Sequence, residues 1–158
     1  MAQMVETFRA FLSSPGDVLE EREATKDVVD AVNRNCIDTL GMTIALWRWE
    51  DQPPLAPRLP EERIQEIINR EVEKSHFFIL ILNRRYVSSE PGHTISNTQR
   101  EVETILERYK SFPQLKILAY FRRLEVNTDQ GKQEEQVREL RERLTQEGII
   151  YREYGDAT

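Results

Sequence analysis

The stretch ISNTQREVETILERY, Ile95 to Tyr109, begins with small polar residues, continues with an apolar residue every third or fourth position, and sets one carboxylate, Glu101, in its first turns. Two chemistries compete for it. With Thr98 it has the spacing of a capping box, in which a glutamate at the third helical position reaches back to the N–H of the cap residue. Ser96 and Gln99 form a second possible box, which would leave Glu101 free two positions further in. A lone carboxylate is poor equipment for an ordinary glycoside, whose hydrolysis needs a second carboxyl to protonate the leaving group. The nicotinamide bond of NAD differs, because its pyridinium leaving group departs neutral without a proton. One ionised carboxylate then suffices, by holding the ribose hydroxyls and stabilising the oxocarbenium-like charge. The positive end of a helix favours that ionised form. Thr104 and Ile105, three and four residues on, offer no salt bridge.

The segment SSPGD, Ser13 to Asp17, is a second candidate. Gly16 permits close approach of a backbone, and the first N–H groups of a following helix can hold a phosphate. Ser14 and Asp17 also have capping-box spacing, so both readings stand together. In WRWED, Trp47 and Trp49 alternate along an expected strand and share a face, suited either to core packing or to stacking on a flat base. His76 and His93 lack Cys or His partners at ligand spacing, so no metal is expected, and His76 at a strand start reads as structural.

These residues need a frame. Strands are expected over Thr7–Ser14, Met42–Trp49, Phe77–Asn83, Leu115–Phe121 and Gly148–Tyr154; the third and fourth are nearly continuous in apolar residues, as strands buried on both faces are. Amphipathic helices are expected from about Pro15 to Leu40, with Ser14 as cap, Val29, Val32, Cys36 and Leu40 as stripe and Gly41 as stop, then about Pro60–Ser75, across the opening stretch, and about Gln133–Glu147. Alternating strands and helices predict an α/β flavodoxin-like fold, a five-stranded parallel sheet in the order 2-1-3-4-5 with helices on both faces. Ligands in such sheets sit beyond the carboxyl ends of the strands where the order reverses, and there SSPGD, WRWED and TQRE converge. A fifth helix would normally follow the last strand, so residues 1–158 read as one domain, the N-terminal part of a longer protein.

Bulk properties narrow the partners. The 158 residues carry 22 Lys and Arg against 28 Asp and Glu, a formal charge of -6, which leaves no global footprint for nucleic acid. No segment approaches the roughly 18 apolar residues of a membrane span, so no membrane partner is expected. Cys36, the only cysteine, fits a reducing cytoplasm as a small buried residue. A phosphorelay receiver would need an Asp where FFILILN ends in Asn83, and a Rossmann unit would need more glycines than SSPGD has.

Together FLSSPGDVLEERE, WRWED, FFILILNRRY and NTQREVE resemble the Toll/interleukin-1 receptor (TIR)-like superfamily, nearest to the TIR-like domains at the N-terminus of large nucleotide-switch and repeat proteins. The resemblance covers about Phe8 to Phe121 and implies one of two functions. Enzymatic members are NAD glycohydrolases or cyclases with a catalytic Glu on the helix after the third strand. That position corresponds to Glu101, with Ser13, Ser14, Gly16 and Asp17 bordering the pocket and Trp49, Tyr86 and Thr98 contributing walls. Other members only self-associate in signalling assemblies. The leading expectation is an effector that cleaves NAD when clustered by the downstream nucleotide-switch and repeat domains of an immune or defence protein, with NAD as substrate and no cofactor. A self-association module, in which Glu101 merely caps, is the alternative; a nucleoside-modifying enzyme is a third.

Overall fold

A computed structural model of the chain describes residues 4–15, 18–52, 61–83, 97–123 and 132–155. The elements are β1 (Glu6–Ser13), α1 (Leu19–Leu40), β2 (Met42–Trp47), a 3-10 turn (Trp49–Asp51), α2 (Glu61–Lys74), β3 (Phe77–Leu82), α3 (Asn97–Ser111), β4 (Lys116–Arg122), α4 (Lys132–Gln146) and β5 (Tyr151–Tyr154). All pairings are parallel and the order is β2-β1-β3-β4-β5, as the alternation of elements predicts. The order reverses at β1, which pairs with β2 on one side and β3 on the other. Among the described residues no helix is long and apolar enough to cross a membrane.

Successive strand residues point to opposite faces, and the two faces are covered unequally. On one, Phe11, Phe78, Leu80, Leu82 and Phe121 pack against Val72 of α2, Val102, Ile105 and Leu106 of α3, and Leu140 and Leu144 of α4. Register puts Phe11 opposite both Trp47 and Phe78, and its ring stacks on theirs at centroid distances of 4.8 and 5.7 Å. On the other face α1 lies beside Leu12, Ile79, Ile81, Tyr120 and Tyr154. Leu118 of β4 is 41% exposed there, so β4 is not buried on both faces as its apolar run suggests. The reason is topological: α2, α3 and α4 share the first face, and α1 is the described helix on the second. For the same reason the α1 stripe is buried at Val29 but exposed at Val32 and Leu40.

Three boundaries correct the sequence reading, one of them β5, which starts at Tyr151 rather than Gly148 because Gly148, at φ 77, and Ile149 close the end of α4 with N–H bonds to the Thr145 and Leu144 carbonyls. Helix α1 starts at Leu19 rather than Pro15, and the position before it, Val18, provides no side-chain cap. Val18 is fully buried among Leu12 and Ile81, and at φ -125 and ψ 47 it stands outside the helix. Ser14 is therefore not the cap. At the other end Gly41 stops the helix as expected, at φ 63, with its N–H on the Ile37 carbonyl at 3.2 Å. Strand β2 ends at Trp47, because buried Arg48 turns back to clamp Asp51 through Nε at 2.8 Å and Nη2 at 2.7 Å. Trp49 thus stands in a 3-10 turn and not on a strand, although its ring stays 6.2 Å from that of Trp47. His76 is structural: its Nδ1 accepts the Arg9 N–H at 2.9 Å, and its ring meets Phe8 edge-on.

Candidate functional site

Strand β1 becomes more buried toward its carboxyl end, and its last residue, Ser13, is 1% exposed. Helix α3 buries Val102, Ile105 and Leu106 against the same face of the sheet, which turns Glu101, one position earlier, toward the end of β1. The Ser13 hydroxyl donates to Oε2 of Glu101 across 88 residues of sequence. Glu101 is itself buried, at 9% exposure, and Thr98 one turn before it is buried as well. Thr98 is the second residue of α3, so it does not stand before the helix as the cap of a Thr98–Glu101 box. The carboxylate is committed to β1 instead. Ser96, the other capping candidate, lies outside the described residues.

Burial pushes the Glu101 carboxyl up to about 7; the Ser13 hydrogen bond and the charge of Arg22 pull the other way and do not prevail. Loss of water thus works against the ionised form that a helix start favours. At neutral pH the group is poised between its two forms.

A second set of contacts, which the sequence reading did not single out, adjoins this pair. Arg22, buried in the second turn of α1, grips Glu50 with Nε on Oε1 at 2.7 Å and Nη2 on Oε2 at 2.6 Å. Its Nη1 donates to the Ser14 hydroxyl at 2.5 Å and faces the Ser14 carbonyl at 3.4 Å. Arg48, 3% exposed, adds Glu23 at 2.9 Å to its bonds with Asp51 and lies 3.6 Å from Glu50. Burial works to raise the Glu50 carboxyl, but the Arg22 bond and charge bring it below the usual carboxylate range. Asp51 is lowered chiefly by its bond from Arg48. The available signal was the charge density of EERE beside SSPGD and of RWED, which reads as surface until the two segments meet.

Of the residues singled out in sequence, the structure brings Ser13 and Glu101 into contact, bonds Ser14 to Arg22, and buries Thr98 in the first turn of the catalytic candidate's helix. Trp49 is 41% exposed beside Glu50. Gly16, Asp17 and Tyr86 lie outside the described residues, as does His93. Glu103 pairs with Arg143 of α4 on the protein's exterior and belongs to no such cluster. Among the described residues no group of three or more His, Cys, Asp or Glu is placed to hold a metal ion. The arrangement offers one buried, switchable carboxyl, a hydroxyl that orients it, and a fixed positive charge nearby.

The sequence matches, over residues 9–158, the family described as a domain of unknown function (DUF4062), and the chain belongs to that family. No curated protein matches it. Among solved structures it is similar to the CMP N-glycosidase BcmB of Clostridium botulinum, at 15% identity and a TM-score of 0.46, over 94% of this chain and 90% of that one. A likeness of that size leaves the chemistry to the residues.

Proposed function

For a member of a family whose description names no activity, the site itself is the premise, and we propose that this chain cleaves the N-glycosidic bond of NAD, with Glu101 as the carboxylate that stabilises the ribosyl cation. The observation that carries the reading is the buried Glu101 carboxylate held by Ser13 at the carboxyl edge of the sheet, where strand order reverses. The resemblance of FLSSPGD and NTQREVE to TIR-like sequences supports it. In the reaction the bond between ribose C1′ and the pyridinium nitrogen breaks, its electron pair leaves with nicotinamide, and water adds to C1′ and loses a proton. Nicotinamide departs neutral, so no acid is required. Glu101 acts in its ionised form, and the ribose hydroxyls join Ser13 as donors that favour that form. Trp49 offers an aromatic wall to a base. Activity is expected on clustering, as the effector part of an immune-type protein.

The test is nicotinamide release, followed by chromatography, from concentrated or artificially clustered protein beside Glu101→Gln. Turnover that disappears in the Gln variant, with the fold intact by circular dichroism, supports the reading; intact NAD after incubation with a verified oligomer sinks it and leaves the self-association role.

A second reading draws on the position of the Glu101 carboxyl near 7. A group that holds its proton at neutral pH can also serve as a general acid for an uncharged nucleobase, the nucleoside-cleaving alternative. The pH limb separates the two: kcat/KM for NAD should rise with pH through about 7 because the carboxylate is the active form. Base release from a nucleoside should fall over the same interval.

A further inference from the structure

We propose that Arg22 is the positioning residue of this site, a strut from α1 that holds Ser14 on one side and Glu50 on the other, so that β1 ends with the Ser13 hydroxyl against Glu101 and a fixed positive charge nearby. Its effect on turnover rests on the glycosidase reading, whereas the strut itself does not.

Each nitrogen of the guanidinium is engaged within the protein. Nε and Nη2 are spent on the two oxygens of Glu50 and Nη1 on Ser14, and the residue is 8% exposed. An arginine kept for a substrate phosphate would present its fork to the crevice; this one turns inward. It stands on α1, and its two partners come from other parts of the chain, Ser14 just past β1 and Glu50 in the turn after β2. Planar two-pronged geometry is what allows one side chain to span them, and a lysine cannot reproduce it. Arg48 braces the far side, with Asp51 and Glu23 as its main partners and Glu50 shared between the two arginines.

The charges around Glu101 follow from the same geometry. From β1 it meets the neutral Ser13 hydroxyl, and from α1 the Arg22 cation, with Glu23 behind it on Arg48. From the turn after β2 come Glu50 and Asp51, both kept ionised by arginines. Arg22 is the charged group that acts directly on Glu101, and it favours the carboxylate. The strut therefore opposes burial at the group it helps to place.

A direct titration of the Glu101 side-chain carboxyl by carbon NMR tests this without substrate. The parent should titrate near 7. In Arg22→Gln the midpoint should move upward, because the cation and the placed Ser13 hydroxyl are both lost, and in Arg22→Lys, which keeps the charge but not the fork, it should move upward by less. A merely structural role predicts the reverse, because a loosened site admits water and lets the midpoint fall toward 4.5. An unchanged or lower midpoint in Arg22→Gln overturns the proposal. Should that variant fail to fold, the paired Arg22→Met and Glu50→Met protein leaves no unmatched charge and decides by the same rule. In NAD turnover, Arg22→Lys should lower kcat with KM little changed, as expected for misplaced reacting groups. A parent that titrates as expected and leaves NAD intact would refute the glycosidase reading and spare the strut.

Discussion

On the face of the sheet under α2, α3 and α4, Phe78, Leu82 and Phe121 have no exposed surface at all. Across the same strands, on the side of α1, Leu118 of β4 is 41% and Val28 of α1 61% exposed, and a groove of about 350 Å³ runs between α1 and Ile79, Leu118, Tyr120 and Tyr154. The first face is held by apolar burial. Much of the second is held by polar contacts between α1 and the strands. Near its start Glu21 accepts the Tyr154 hydroxyl at 2.9 Å and lies 3.6 Å from Arg122, and in its middle Asn33 exchanges hydrogen bonds of 2.7 and 2.9 Å with the backbone of Ile44 on edge strand β2. The difference divides the labour of the site. Closed packing fixes α3 and therefore Glu101, while the polar attachments of α1 fix Arg22 and, through it, Ser14 at the end of β1.

The largest expected effect is at the junction of the two regions. Glu101→Gln should lower NAD turnover by roughly 10²-fold or more, the loss typical of removing one group that meets developing charge. The same variant should change the pH dependence of folding. Because the folded carboxyl sits near 7 and the ordinary one at 4.5, the native state binds more protons between those values. The stability Glu101 contributes is thus fully present below 4.5 and lost as pH rises through about 7. Thermal melts should show Glu101→Gln above the parent at pH 8, with the gap closing near pH 5. A gap that persists or grows at low pH would mean that the carboxyl is not the cause.

On the closed face, Phe121→Ala should cost about 3–5 kcal/mol in urea unfolding, as deletion of a buried aromatic does. On the open face, Tyr154→Phe removes the donor to Glu21 and should cost about 1–2 kcal/mol. Leu118→Ser, in the groove, should stay within about 0.5 kcal/mol of the parent. If Leu118→Ser costs as much as Phe121→Ala, the two faces are equally packed in solution and the contrast between them fails.

The parts legible in sequence were those whose signal is local. Apolar runs marked the strands, periodicity marked α2, α3 and α4, and Gly41 marked the end of α1. The start of α1 was not legible, because Val18 before it packs against Leu12 and Ile81, contacts that exist only in the folded chain. The turn at Trp49 depends on Arg48 becoming buried, which charge alone argues against. Ser13, Ser14, Thr98 and Glu101 were visible as residue types at the right edge of a parallel sheet. Arg22 and Glu50 were hidden by distance, since 28 residues separate them. The poise of Glu101 is not legible either: helix position is readable from sequence, whereas the depth at which the helix packs is not.

The separation of 88 positions between Ser13 and Glu101 bears on the order in which the molecule comes into being. Contacts that close long stretches of chain form late relative to those within a hairpin or a single helix. A nascent or partly opened form with β3, α3 and β4 together but β1 detached would leave Glu101 in water, ionised like any surface glutamate and without Ser13. The chemical character of that carboxyl is therefore a property of the completed sheet, and the cell would meet it only once the first strand has taken its place between the second and the third.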